Sequence, residues 1–301
     1  MKIDYIIPFV DMNDLNWRKV YEKHVAEYKN WTNCAHRFRD WNLLKYQLRS
    51  LEKHAPWINR IFIVLGVGGK TQIPSWLNTE NEKIKIVYTD EYLPKEFLPT
   101  FNSNTIELFF PRIKELSEYY IASNDDYVVT KDLKPEDFFT EEGRVKVKMG
   151  LYKWDDSIYG KTIIRSGLFM SPGLVRVGEQ YIAAPHCDHT LTPHLKSENL
   201  KMLETYGKAI KESCTRFRDE INFTWLIYVL NLHNRGLREK GVLVNKVYSL
   251  KTLEGIDNYD LESYDYIVIN DNYDGDEYEQ MFKKLTAKMD AVFPEKSSFE
   301  I

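Results

Sequence analysis

Four short runs rich in β-branched and aromatic residues, Ile3–Val10, Arg60–Leu65, Lys83–Tyr88 and Leu116–Val129, are separated by stretches of helical periodicity. Strands that alternate with helices build a mainly parallel sheet through right-handed crossovers, so the chain is expected in the α/β class. Between the first two runs, Trp41, Leu44, Leu48, Leu51 and Ala55 recur at helical spacing, which predicts a helix over 41–54 stopped by Pro56. Its other face carries Lys45 and Arg49, four residues apart, read either as solvated charges or as an anion site. Asn102 and Ser103 offer caps for a helix over 104–110 that Pro111 closes, or groups that hold a sugar.

The second half is less regular. Alternation at Val145–Met149 and glycines at 150, 160, 167, 173 and 178 predict antiparallel hairpins decorating the sheet over about 132–185. Ser197 is expected to cap a helix reaching about 213, and Arg216–Asn222 to open another that runs to His233. Tyr278, Met281, Phe282, Leu285, Met289 and Val292 mark an apolar stripe on a last helix. No linker or repeat divides residues 1–301, so one domain with a hairpin insertion is expected.

Composition narrows the function. With 43% hydrophobic and 14% aromatic residues the chain is globular, and a net charge of −4 argues against a general nucleic-acid binder. Cys34, Cys187 and Cys214 form no CxxC, so neither a disulfide scaffold nor structural zinc is expected, and a reducing compartment fits. The start lacks a signal-peptide pattern and no apolar run is long enough for a bilayer, which makes the cytoplasm the expected location.

Polar residues concentrate in three places. Asn124, Asp125 and Asp126 follow an apolar run, where open α/β sheets bind ligands and adjacent acids suit Mg²⁺ or Mn²⁺ on a nucleotide diphosphate. An Asn-Asp turn is the plainer reading. Tyr266–Asn272 repeats the theme with Asn270 and Asp271, and two such ends would converge on one cation. His186, Asp188, His189 and His194 with Cys187 read as an acid/base group, a surface loop or, against the usual spacing, zinc. Arg216 and Arg218 form either a phosphate clamp or pairs with Asp219 and Glu220. Gly66–Thr71 is no P-loop, because Val64 stands where that motif needs glycine; a flexible loop after a strand is expected instead.

Taken in order, Arg37-Phe38-Arg39-Asp40, Leu48-Arg49-Ser50-Leu51-Glu52-Lys53-His54-Ala55-Pro56-Trp57, Ile73-Pro74-Ser75-Trp76-Leu77, Leu98-Pro99-Thr100-Phe101-Asn102-Ser103 and Ser123-Asn124-Asp125-Asp126 resemble the second conserved block of the Stealth family. Ile3–Asp14 is similar to the first block, with Pro8-Phe9-Val10-Asp11-Met12 where the family has Thr-Trp-Val-Asp-Gly. His189 through Asp219 is similar to the third, and Ile269–Asp271 with Phe293–Glu300 to the fourth. The resemblance implies a sugar-1-phosphate transferase of bacterial polysaccharide synthesis on a Rossmann-like, GT-A-like sheet, one catalytic domain throughout. It implies a nucleotide diphosphate sugar donor, such as a uridine diphosphate hexose, and a saccharide acceptor, usually lipid-linked at the inner membrane face.

In that framework Asp125, Asp126, Asn270 and Asp271 hold the cation. Arg218, Arg216, Lys45 and Arg49 contact phosphate oxygens, and Asp11, Arg39, Asn102, Ser103 and His194 help to bind substrate. His189 is the base, with Asp126, His186 and His194 as rivals. Two other classes remain: a metal-dependent glycosyltransferase, to whose Asp-x-Asp strand end Asn124-Asp125-Asp126 is similar, and a carbohydrate-binding protein stacking sugars on Trp41, Trp57, Trp76 and Trp154.

Overall fold

The apolar runs do become strands, but the acidic run becomes two. The structure is a computed structural model and describes residues 1–26, 35–153, 155–171, 176–177, 181–187, 189–273 and 275–301. Cys34, Trp154, Gly173, Gly178 and Asp188 lie outside these. In chain order come β1 (Ile3–Phe9), α1 (Leu15–Val25), α2 (Leu43–His54), β2 (Ile61–Leu65), β3 (Ile84–Tyr88) and α3 (Ser103–Leu108). Next are β4 (Tyr119–Ala122), β5 (Tyr127–Val129), β6 (Val145–Val147), β7 (Gly150–Lys153), α4 (Ile158–Met170), β8 (Arg176–Val177) and β9 (Tyr181–His186). The rest are β10 (Thr192–Leu195), α5 (Lys196–Ser213), α6 (Leu226–Asn234), β11 (Arg238–Lys240), β12 (Asn245–Leu250), β13 (Tyr266–Asp271) and α7 (Tyr278–Val292).

The central sheet has the order β10-β4-β1-β2-β3, with all but β10 parallel. Every residue of β2 is buried, as expected of a parallel strand covered by helices on both faces. The mixed α/β fold with a mainly parallel sheet is therefore present. Leu44, Leu48 and Leu51 of α2 pack onto one face among Ile3, Tyr5 and Ile63. Met202 and Ile210 of α5 and Ile227 of α6 pack onto the other with Ile6, Phe62 and Val64. Both faces thus gain the apolar burial that stabilises the sheet.

The expected single strand ending at Val129 breaks at residues 123–126. Ser123 N still donates to Ile6 O at 3.1 Å, one step past the last β1–β4 pair. The chain then turns, and β5 joins the second sheet, β12-β13-β5, antiparallel to β13. Asn124 and Asp125 supply the turn chemistry. The acids consequently sit at a crossover between two sheets.

Residues 132–185 depart further from expectation. β7, β8 and β9 are antiparallel as anticipated, but β6 pairs in parallel with β11, and the helix α4 lies between β7 and β8. Glycine concealed that helix. Ser157 caps it by accepting from Gly160 N at 2.9 Å, and a Cβ at Gly160 would stand 2.2 Å from Asp155 Oδ1, so glycine permits the close approach. The helix expected to open at Arg216 begins only at Leu226. Residues 215–222 are held as a loop, because Asn102 Nδ2 donates to Phe217 O and Asn222 Oδ1 while Asn222 Nδ2 donates to Ser213 O. At α5, Leu195 occupies the cap position and Ser197 Oγ instead donates to Glu118 at 2.8 Å. No described helix is long and apolar enough to cross a membrane.

Candidate active site

The carboxyl ends of β1, β2 and β4 open into a cleft of about 610 Å³ that the C-terminal end of β13 also borders. That volume lies in the range of small-molecule sites, and its place is where open α/β sheets bind ligands. Asp125, Asp126, Asn270, Asp271, His186, His189, Ser103, Arg39 and Arg218 all line it. The two Asn-Asp ends meet because β5 pairs with β13, where Ile269 N donates to Asp126 O at 3.0 Å.

A helix behind the sheet fixes the acidic turn. Gln47 of α2 is fully buried, and its Nε2 donates to Ser123 Oγ and Asn124 O, both at 3.0 Å. Ser50, one turn on, accepts from Val129 N at 3.0 Å.

The acids are strained electrostatically. Burial raises Asp126 to about 7, and its Oδ1 is buried without a hydrogen-bond partner. Burial also raises Asp125 well above the usual range, with Asp126 and Asp40 adding like-charge repulsion. Asp40 is itself raised to about 6 by burial, and Asp11 adds to that. Such perturbation in a cleft is a hallmark of functional carboxylates. Asp11 stands beside the cleft: its backbone is tied to Gln72 by hydrogen bonds of 2.8 and 2.9 Å.

Across the cleft, Arg218 Nη2 donates to Ser103 Oγ on α3. Glu107, one turn along α3, is buried and pushed up to about 7 by that burial, which the nearby Arg218 only partly offsets. Asp40, Gln47 and Glu107 were not read as site residues, since a lone acid or amide in a helical pattern gives no spacing to recognise.

The histidines separate. His189 lines the cleft with φ +42°, an uncommon conformation for a residue with a Cβ. His186 is buried beside it, its Nε2 3.2 Å from the Tyr159 hydroxyl. His194 lies outside the cleft in β10, stacked on Tyr120, and burial depresses it to about 3. Among the described residues, no three His, Cys, Asp or Glu side chains form a metal cage.

Four expected contacts fall elsewhere. Arg49 is 7% exposed and binds Glu300 through Nε and Nη2 at 2.7 and 2.8 Å. Lys45 lies 4.0 Å from the same carboxylate. Arg216 Nε donates to Pro99 O at 3.0 Å, and Asn102 spends its amide on the 215–222 loop. Unlike Arg218, these groups satisfy architecture outside the cleft lining.

Residues 37–147 match the family model for Stealth protein CR2, conserved region 2. The receptor polysaccharide phosphotransferase WefC of Streptococcus gordonii is 30% identical over 100% of this chain and 99% of its own length. The capsular polysaccharide phosphotransferase WcwK of Streptococcus pneumoniae is 29% identical with the same coverage. Among solved structures, the inositol-1-phosphate CTP transferase from T. maritima aligns over 94% of this chain and 97% of its own at 14% identity and a TM-score of 0.39. With full-length relatives of that kind and the second conserved block in place, the chain belongs to the Stealth family of polysaccharide phosphotransferases.

Proposed function

We propose that the chain transfers a sugar-1-phosphate from a nucleotide diphosphate sugar to a hydroxyl of a growing polysaccharide and releases the nucleoside monophosphate. The observation that carries this reading is the facing of a half-buried acid pair, one oxygen of which lacks a partner, by the half-buried Arg218 across one cleft. Phosphoryl transfer depends on positioning and charge neutralisation, which such walls supply.

The acid pair fits a divalent cation. Asp126 Oδ1 lacks a partner, Asp125 and Asp126 repel each other, and Mg²⁺ or Mn²⁺ takes one or two carboxylates together with substrate phosphates and water. Asp125 and Asp126 would hold the ion, with the Asn270 side chain beside them. Bound there, it would neutralise charge on the donor's diphosphate.

Arg218, steadied by Ser103, stabilises negative charge gathering on the transferred phosphoryl oxygens. The acceptor hydroxyl forms a bond to the phosphorus carried by the sugar. The bond from that phosphorus to the oxygen of the nucleoside monophosphate breaks. His189 takes the acceptor's proton, for which Asp126 is the alternative. The acceptor is a lipid-linked saccharide met at the inner membrane face, as suits a polysaccharide built on a carrier.

The test is product analysis with a panel of uridine diphosphate sugars, Mg²⁺ and saccharide acceptor. Uridine monophosphate as the nucleotide product supports sugar-phosphate transfer. Uridine diphosphate would mean glycosyl transfer instead, and metal-independent binding without consumption would mean a carbohydrate-binding protein.

A further inference from the structure

Asp271 lies in the cleft beside Asn270, yet its carboxylate is already full. Oδ1 accepts from Arg39 Nη2 at 2.9 Å and Tyr273 N at 3.0 Å. Oδ2 accepts from Arg39 Nε at 2.9 Å and the Trp41 indole at 2.7 Å. A carboxylate has about four lone-pair positions, so these hydrogen bonds leave none for a cation. A divalent ion would also have to approach beside a guanidinium. The fit that holds at Asp126 fails here.

The partner is incompletely used. Arg39 spends Nε and Nη2 on Asp271, and Nη2 also donates to Tyr273 O. Nη1 donates to no described residue, although Arg39 lines the cleft. Its guanidinium carbon lies 5.5, 6.0 and 5.4 Å from the ring centres of Trp41, Tyr273 and Tyr278. The ion pair is largely desolvated, with side chains only 15% and 10% exposed. A bidentate, ring-packed arginine is a pre-organised anion contact, because its orientation is set before the ligand arrives.

We propose that Asp271 is a positioning residue and no cation ligand: it fixes Arg39 so that the spare Nη1 hydrogens meet an oxygen of the donor's diphosphate. This rests on the cleft being the nucleotide sugar site proposed above. It assigns the two Asn-Asp ends different work, the first holding the ion and the second aiming an arginine.

The test compares wild type, Asp271→Asn, Arg39→Ala, their double variant and Asp126→Asn. Mn²⁺ binding is read by electron paramagnetic resonance, and uridine diphosphate binding at saturating Mn²⁺ by calorimetry. Asp271→Asn and Arg39→Ala should keep Mn²⁺ affinity within about twofold of wild type. Each should weaken uridine diphosphate roughly ten- to a hundredfold, and the double variant no further, as for two groups acting through one contact. If Asp271→Asn misfolds, Arg39→Lys, which keeps the charge but loses the fork, should show the same selective loss. Mn²⁺ binding weakened tenfold or more by Asp271→Asn, as expected of Asp126→Asn, overturns the proposal. Additive losses in the double variant, or a wild type that binds no uridine diphosphate, overturn it too. Intact binding comparisons in a protein that never releases uridine monophosphate would instead contradict the phosphotransfer reading alone.

Discussion

Two charge clusters flank α2 and are built on opposite principles. On one side Arg49 and Glu300 are 6% and 1% exposed, and every strong group is answered: Arg49 also donates to Phe293 O, and Glu300 also accepts from Ser297. Burial alone would raise Glu300, yet Arg49 and Ser297 outweigh it and hold the carboxyl below its ordinary value. On the other side Asp125 and Asp126 are like charges, both raised by burial and Asp125 further by Asp126 and Asp40, with one oxygen unanswered. Satisfied charge fastens the C-terminal tail to α2. Unsatisfied charge in a cleft is a deficit that a ligand fills.

That contrast can be broken most sharply at Asp126. Asp126→Ala should cut turnover by about three orders of magnitude with secondary structure unchanged, since it removes a group facing the reacting phosphates. Steady-state rates beside circular dichroism check this, and an active variant would erase the distinction. Arg49→Ala should do the reverse, costing about 3–5 kcal/mol of stability by leaving Glu300 buried without its partner. Urea unfolding measures the loss, and turnover per folded molecule should match wild type.

The pH dependence sharpens the same point. Asp126 is raised to about 7 when folded, so the native state keeps a proton that the unfolded chain has lost above about pH 4. Its favourable contribution is therefore present at low pH and fades as pH rises through about 7. The variant Asp125→Asn/Asp126→Asn has no such proton to lose. Its melting temperature should rise relative to wild type between about pH 5 and pH 8, and Mg²⁺ should narrow the gap at pH 8. A gap constant with pH would mean that the acids are not frustrated. The smallest effect is expected at Lys45→Ala, whose turnover should stay within about twofold of wild type, because its ammonium lies outside the cleft lining, 4.0 Å from Glu300.

What the sequence displayed and what it concealed follow the same division. The strands of the parallel sheet were legible because both faces are buried, which leaves unbroken apolar runs such as Ile61–Leu65. The acid pair was legible because adjacent acids interrupt such a run. Arg49 misled because a charged residue four from Lys45 on a helix looks solvent-facing, whereas its partner lies 251 residues away in sequence. Gln47 was hidden for the complementary reason: one amide on an apolar face shows nothing until Ser123 and Asn124 fold against it. α4 was missed because Gly160 and Gly167 read as punctuation, though Gly160 serves the packing of Asp155. Arg218 and Arg216 looked alike two residues apart, and only the loop held by Asn102 and Asn222 turns one into the cleft and the other onto Pro99.

The most direct test of the difference between the clusters is a Mn²⁺ titration of wild type beside the Asp125→Asn/Asp126→Asn variant, followed by electron paramagnetic resonance. We expect wild type to immobilise one Mn²⁺ that uridine diphosphate binds more tightly, and the double variant to immobilise none. Equal Mn²⁺ binding by the two proteins would contradict the assignment of the acid pair as the cation site.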